Sequence, residues 1–546
     1  MRFGGADYLA TGLFSLLISF LVIPPMARIA EQLGIVDHPE DRKVHFRPTP
    51  LCGGAAMAIA GVLSIALWTP LEKHALILLF SGGLVLAVGI YDDFRGLSFQ
   101  CRLGWQIVAA LIAISAGVTF VRLPFVELTA APLWVAAPLT LIFLVGTTNA
   151  VNLLDGLDGL AGGITLLSFL TLGLLASDVG ADALAIAAAI SVGAILGFLR
   201  YNSHAAVVFM GDAGSTVLGF TLAVLGVLLI QAGQGSISAA ILAPLIGLPI
   251  VDTTQVMATR LSRGESPFRA DRRHLHHRLL DLGFSKAESV ISLYGVQSMF
   301  VFTALTMRHA PGVFIAPVFF TEMFLVLGAV YGAIHLGWRR SSVGNSATTH
   351  GLNSVCLRRP AWKTKQSLPF LGIALGACLV AAASIPVTVA PEVALFAATS
   401  ALLLLFDHPR LSSYRTGILR MGVFTVVLAF GAMAIQWSEA SITVGPTSAV
   451  GGMLLLLCVA VAVSGTRRDV FPLSSLDALT VFIALGLLVA MLAHLVAVGI
   501  GGPLLAMISL FLTAEYCIVN DAGRSEMLHR VTLLSLAILA TRGIAG

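Results

Sequence analysis

From Tyr8 to Gly337 the chain passes through eleven apolar runs, near 8–30, 51–70, 75–91, 103–121, 133–151, 160–177, 182–200, 214–232, 237–257, 289–308 and 311–337. Each is about 17 to 25 residues long, the length of helix that crosses a bilayer core. In hydrocarbon the backbone must bond within its own segment, so the runs predict an all-α, polytopic integral membrane bundle of about eleven transmembrane helices. Composition excludes a water-soluble surface, with 57% apolar residues, 11% charged residues and a mean hydropathy of +0.94. The first run is too long for a signal-peptide core and lacks a small-residue cleavage pattern, so it is expected to remain as a span. Six cysteines, Cys52, Cys101, Cys356, Cys378, Cys458 and Cys517, are scattered without a CxxC pair. They point neither to a disulfide framework nor to a cysteine metal site.

The first long polar break is Trp338 to Gln366, where Arg339, Arg340, Arg358, Arg359, Lys363 and Lys365 stand among Ser, Thr, Asn and Gly. This is the composition of a solvated linker. It predicts three parts: a membrane domain over 1–340, a polar cytoplasmic linker over 341–366, and an additional membrane domain over 367–546. That extension holds about six or seven shorter runs and no charged cluster with catalytic spacing. Alternating the spans across a membrane puts nearly all cations of the first part into one set of loops, while the other set keeps Arg2, Lys73, Arg122 and Arg308. The crowded loops are therefore expected on the cytoplasmic side. The formal net charge of +4 reflects that topology. It is fair evidence for anionic head groups or a phosphorylated substrate and weak evidence for nucleic acid, which is not expected as a partner.

The polar motifs fall in these same loops. Lys43 and His45 precede the pair Gly53-Gly54; YDDF carries Asp92 and Asp93; NAVNLLDGLDGLAGG carries Asn149, Asn152, Asp155 and Asp158; FMGDAGST carries Phe209, Asp212 and Ser215. At 100° per residue the row 149, 152, 155, 158 drifts halfway round a helix, so one straight helix cannot aim all four at one point. Gly156 and Gly159 predict that the helix ends near Leu153, leaving the asparagines on its last turn and the aspartates on a tight loop. Adjacent Asp92 and Asp93 crowd each other, which suits one to accept a proton and the other to bind a cation. Asp212 lies among small residues at a predicted helix start, where a phosphate or metal could approach the backbone.

The segment SPFRADRRHLHHRLLDLGFS holds His274, His276 and His277 among Arg269, Arg272, Arg273 and Arg278. Helical spacing places 274 and 277 on one face and 276 elsewhere. Four arginines repel a divalent cation, so phosphate binding with histidine as donor fits better than zinc. A basic helix resting on lipid head groups is the purely structural alternative. Carboxylates able to hold Mg²⁺, a basic cluster able to hold phosphates and a surrounding membrane together suit phosphoryl transfer to a lipid-borne acceptor.

YDDF, NAVNLLDGLDGLAGG, FMGDAGS and RRHLHHRLLDLGFS, in this order, resemble the polyprenyl-phosphate N-acetylhexosamine-1-phosphate transferase family (glycosyltransferase family 4) over residues 8 to 337. The match is closest to the undecaprenyl-phosphate GlcNAc-1-phosphate transferase branch, which initiates cell-surface polysaccharides such as O-antigen of lipopolysaccharide. The resemblance implies transfer of N-acetylhexosamine-1-phosphate from a UDP-N-acetylhexosamine to undecaprenyl phosphate, with UMP released. It implies Mg²⁺, replaceable by Mn²⁺, at Asp212 with Asp92 and Asn152, and a lipid-phosphate role for Asp92 and Asp93. Asn152, Asp155 and Asp158, with Asn149 beside them, resemble the nucleotide and metal-proximal loop, and Phe209 the uracil platform. His274, His276, His277 and Arg278, flanked by Arg272 and Arg273, resemble the diphosphate clamp, and Lys43 and His45 the first-loop positions near the nucleotide.

By the same resemblance the protein belongs in a bacterial cytoplasmic (inner) membrane with its active site on the cytoplasmic face, where a homodimer or contact with downstream glycosyltransferases is compatible with it. Two other readings stand beside this one. The phospho-MurNAc-pentapeptide transferases of peptidoglycan synthesis carry a differently composed histidine motif. A proton-coupled transporter would also bury carboxylates and histidines, but near the bilayer midplane in broken helices rather than at one face.

Overall fold

The structure, a computed structural model, describes residues 5–38, 48–68, 76–122, 131–203, 206–266 and 273–339. Lys43, His45, Arg272, the linker at 341–366 and the extension at 367–546 lie outside the described residues. From Thr11 onward the described residues belong to one compact unit.

In chain order the elements are α1 (Gly5–Leu33), β1 (Val36–Asp37), β2 (Thr49–Pro50), α2 (Gly53–Trp68), a π-helical turn (Leu78–Gly82) continuing into α3 (Gly83–Arg95), α4 (Phe99–Ser115), α5 (Leu133–Leu154), α6 (Leu160–Asp178), α7 (Asp182–Asn202) and α8 (Gly211–Ala232). A 3₁₀ turn (Ala239–Ile241) then leads to α9 (Leu242–Leu245), α10 (Gly247–Leu261), α11 (Leu275–Asp281), α12 (Lys286–Thr306) and α13 (Gly312–His335). The two short strands pair antiparallel, Val36 with Pro50 and Asp37 with Thr49. Everything else of regular structure among the described residues is helix, and the protein is a multi-pass helical membrane protein. Every one of the eleven apolar runs carries helix, yet by length and composition seven helices among the described residues are able to cross a membrane, or eight with the bent pair. The expected count of eleven is not reached on helix length because α2, α3 and α4 are short.

The axis of the bundle is α8, buried over nearly its whole length. Between membrane helices there is little hydrophobic driving force, so close backbone approach through small residues does the packing. A Cβ at Gly54 would collide with the Gly214 backbone, and one at Gly89 with the Cα of Ala213. This brings α2 and α3 against the first turn of α8. The Gly53-Gly54 pair is therefore a helix-crossing device. A second seam joins α1 to α7, where Ser15 and Ser19 donate to the carbonyls of Ile190 and Ala194, both at 2.8 Å.

The run at 237–257, expected as one span, bends by 80° between Leu245 and Gly247. A break inside a membrane frees backbone groups that must find partners in protein. Here Gln297 of α12 supplies them, accepting from Leu248 N at 3.0 Å and donating to Leu245 O at 3.0 Å, while Ser168 of α6 donates to the same carbonyl at 2.9 Å. The bend gives α10 its own direction, and α10 carries Asp252.

Candidate active site

The site is organised by the start of α8. Phe209 N–H donates to Pro50 O at 2.9 Å, and Gly53 and Gly54 N–H donate back to Phe209 O and Met210 O at 3.0 and 2.9 Å. Phe209 thus bridges to Leu51 just past β2 and docks the start of α8 there. Gly211 then turns with φ +73°, and any side chain there would strike the Asp93 carboxylate. Asp93, on the last turn of α3, accepts Asp212 N–H at 2.7 Å and Ala213 N–H at 3.1 Å. It supplies the side-chain cap that Met210, at the N-cap position of α8, does not. This corrects one expectation: the amides at the start of α8 are occupied by Asp93 and do not face a phosphate.

Asp92 points elsewhere, yet its charge adds, after burial and the Asp212 carboxylate, to the shift that pushes Asp93 up to about 7. Asp92 Oδ1 accepts Leu97 N–H at 2.5 Å and its Oδ2 lies 2.9 Å from Arg102 Nη1. The same Arg102 nitrogen lies 2.5 Å from Asp212 Oδ2. On the other side Asn152 Nδ2 donates to Asp212 Oδ1 at 2.8 Å and to Ser215 Oγ at 2.9 Å. Asp92, Asn152 and Asp212, the three residues expected at a metal, therefore meet around one point on α3, α5 and α8.

The segment NAVNLLDGLDGLAGG breaks where its glycines predict. Helix α5 ends at Leu154, and α6 starts after Gly159, which adopts φ +80°. The turn is pinned on both sides: Gly159 N–H donates to Asn202 Oδ1 at 2.9 Å, and Tyr294 Oη donates to Gly159 O at 2.7 Å. Asp158 Oδ2 accepts Ala206 N–H at 3.1 Å. Asp155 is pushed up to about 7 by enclosure among protein atoms and by the carboxylates of Asp212 and Asp158. Because its side chain keeps contact with solvent, the repulsion among the three carboxylates is the firmer cause. Asn149 turns away from this group and donates to Gln106 Oε1 of α4 at 2.6 Å. It ties two helices together.

The histidine segment reaches the site through Gly156, where a Cβ would stand 2.5 Å from His276 Nε2. Helical spacing misplaced these rings because His274 precedes α11 in an extended conformation. His274 and His276 in fact lie nearly parallel, centroids 5.8 Å apart, and His277 lies 4.2 Å beyond His276. Burial first, then repulsion from His277, pushes His276 down to about 3 against the pull of Asp252, so it is neutral. Asp252 of α10 holds the segment, with Oδ2 2.7 Å from His274 Nδ1 and Oδ1 accepting Leu275 N–H at 2.7 Å. Gln255 Nε2 donates to Arg273 O at 2.8 Å. Arg273 pairs with Glu265 at 3.1 Å, and Arg278 stacks on the Tyr331 ring at 4.4 Å.

Arg102, Asp252 and Asn202 were not singled out from the sequence. Asp252 carried a usable signal, an ionisable residue inside an apolar run, which in membranes is costly and seldom idle. Arg102 carried a weaker one, as a cation ten residues beyond Asp92 in the next helix. For Asn202, at the end of α7, nothing in the local sequence marks the loop contact.

Fold and site together define a polytopic membrane protein with a carboxylate-rich, histidine-flanked centre at the ends of its helices. The model of glycosyl transferase family 4 matches residues 75–230. A Bacillus subtilis protein, a probable undecaprenyl-phosphate N-acetylglucosaminyl 1-phosphate transferase, is 34% identical over 54% of this chain and 84% of its own length. The decaprenyl-phosphate N-acetylglucosaminephosphotransferase of Mycobacterium tuberculosis is 34% identical over 52% of this chain and 78% of its own. The undecaprenyl-phosphate alpha-N-acetylglucosaminyl 1-phosphate transferase of Escherichia coli K12 is 30% identical over the same shares. The chain belongs to glycosyl transferase family 4.

Proposed function

We propose that the protein transfers N-acetylglucosamine 1-phosphate from UDP-N-acetylglucosamine to undecaprenyl phosphate at the cytoplasmic face of a bacterial inner membrane, releasing UMP. The observation that carries this reading is the meeting of Asp92, Asn152, Asp212 and Arg102 at helix ends, in a chain whose relatives bear the names of such transferases. An oxygen of the lipid phosphate bonds to the sugar-bearing phosphorus. The bond from that phosphorus to the bridging oxygen breaks, and UMP leaves with the electron pair. Such a reaction needs charge neutralisation and in-line placement more than covalent help.

The donors fit Mg²⁺, or Mn²⁺ in its place. Asp92 and Asp212 offer carboxylate oxygens close enough for one nitrogen to bond both, and the Asn152 amide stands beside them. Among the described residues no group of three or more His, Cys, Asp or Glu side chains could by itself hold a metal ion, so a divalent ion here would take one or two carboxylates and complete its shell with phosphate and water. When bound it neutralises charge on the diphosphate.

The chain's own groups favour direct displacement over an aspartyl-phosphate. Both oxygens of Asp93 hold the start of α8, and both oxygens of Asp92 are engaged, so either acting as nucleophile breaks the site that it builds. Asp155, near neutrality, has the proton affinity of a base able to relieve the lipid phosphate of its proton. His274, held by Asp252, and Phe209 are the residues that this reading assigns to the diphosphate and the uracil.

The full chain purified in nanodiscs is to be assayed for UMP release across UDP-hexosamines. The expected result is release that requires undecaprenyl phosphate and Mg²⁺ and is best with UDP-N-acetylglucosamine. Release without lipid, together with a trapped acyl phosphate, replaces direct displacement; inactivity with every UDP-hexosamine overturns the reading.

A further inference from the structure

Arg102 stands on the first turn of α4, just after the loop that Asp92 Oδ1 holds through Leu97 N–H. Its Nη1 bonds two carboxylates that come from different helices, at 2.9 Å to Asp92 Oδ2 and 2.5 Å to Asp212 Oδ2. The second oxygen of each carboxylate is already used, by Leu97 N–H and by Asn152 Nδ2. One cationic nitrogen thus engages the two carboxylate oxygens that would help to hold a divalent ion. Holding the ion through these oxygens would require the guanidinium to give them up.

Exposure makes an exchange feasible. The side chain of Arg102 is 33% exposed and that of Asp212 36%, whereas Asp92 is 5% exposed. Arg102 can leave by side-chain rotation into solvent without unpacking a helix, and Asp92 stays as the fixed wall. Without a cation of some kind, two carboxylates at this separation repel each other.

We propose that Arg102 is the resident counter-ion of the Asp92–Asp212 pair, holding it assembled until a divalent cation displaces the guanidinium. This rests on the metal reading given under Proposed function. A bare cation must then displace a charged hydrogen-bonding partner, so its apparent affinity is lowered. A cation that arrives with the diphosphate meets a smaller cost, because the released guanidinium gains phosphate oxygens as partners.

The test uses the full chain in nanodiscs, without nucleotide or lipid substrate, titrated with Mn²⁺ while free Mn²⁺ is read by electron paramagnetic resonance. R102M keeps the length of the side chain and removes its charge, R102K keeps the charge, and D212N removes a ligand. R102M is expected to bind Mn²⁺ about tenfold more tightly than the wild type, R102K within about threefold of it, and D212N to lose saturable binding. R102Q is the second uncharged variant should R102M fold poorly. In EDTA, R102M and R102Q are expected to melt below the wild type and to regain the difference when Mn²⁺ is added. Equal or weaker Mn²⁺ binding by both uncharged variants overturns the proposal while leaving the metal reading in place. Absence of saturable binding in wild type and variants alike, up to tens of millimolar, overturns both.

Discussion

Arg102–Asp92–Asp212 and His274–Asp252 are charge clusters of one bundle, joined through the loop from Asp155 to Gly159, and they are built to different physical specifications. In the first, one arginine nitrogen spans two carboxylates and two of the three side chains are about one-third exposed. In the second, the imidazole is 7% exposed and the carboxylate 2%, and Asp252 also fixes a backbone amide. A partly solvated pair can be opened at little cost, while breaking a buried one leaves a stranded charge. The difference separates a cluster that can open to solvent from a support that holds a segment in position.

The sharpest way to break that distinction is Asp212→Asn. If the exposed cluster is where phosphate chemistry occurs, UMP release falls by about a thousandfold or more while folding is preserved. A purified variant that melts with the wild type but retains a tenth of its rate would place the chemistry elsewhere.

The support should respond in the opposite way. Asp252→Ala removes the partner of a buried imidazole and of Leu275 N–H, with an expected loss of about 3–5 kcal/mol and poor yield from membranes. Asp252→Asn retains an acceptor for Leu275 N–H and should cost about 1–3 kcal/mol. With less tightly held histidines, its KM for the UDP-sugar is expected to rise more than its kcat falls. A D252N enzyme of normal stability and normal KM would remove Asp252 from the support.

His276 gives the same contrast a pH signature. Its folded pKa of about 3 lies below the unfolded value of about 6.5. Between these limits the unfolded chain takes up a proton that the native chain refuses, so stability falls as pH drops below about 6.5, by about 1.4 kcal/mol per pH unit at most, and is fully present above it. Melting curves from pH 7 to pH 4 should therefore converge for wild type and His276→Asn at neutral pH and separate in acid, the variant losing less. Parallel curves would mean that His276 is not buried neutral. Asp93→Asn tests the cap on α8 at a smaller scale. The amide still offers one acceptor oxygen, so about 1–2 kcal/mol is expected to be lost, with UMP release reduced several-fold through the shifted α8 rather than abolished.

Much of this arrangement was legible in the residues. The glycines at 156 and 159 placed the break between α5 and α6, and Asn152, Asp155 and Asp158 came out around it as the spacing required. What stayed hidden were partners far apart in sequence. Asp93 caps a helix 119 positions away, and no local pattern records that its carboxylate is used on backbone amides while its neighbour faces Arg102. The bend at Leu245–Gly247 reads as uninterrupted apolar sequence because its orphan groups are satisfied by Gln297 and Ser168 from other helices. Periodicity failed at His274 for a simpler reason, since it was applied to a residue lying outside the helix.

Asn149 marks the limit of what residue type and spacing can assign. It shares the asparagine chemistry and the three-residue row of Asn152, but its amide goes to Gln106 Oε1 at 2.6 Å and to Val145 O at 2.8 Å, within the contact of α4 and α5. Hydrogen bonds between membrane helices contribute about 0.6 kcal/mol on average, because the separated helices find other partners. Asn149→Ala, Gln106→Ala and the double variant should therefore show a coupling energy of about that size in a double-mutant cycle on unfolding in mixed micelles. UMP release should stay within about twofold of the wild type throughout. A drop in Asn149→Ala comparable with that of Asn152→Ala, with no coupling to Gln106, would return Asn149 to the substrate side of α5 and widen the exposed cluster by one residue.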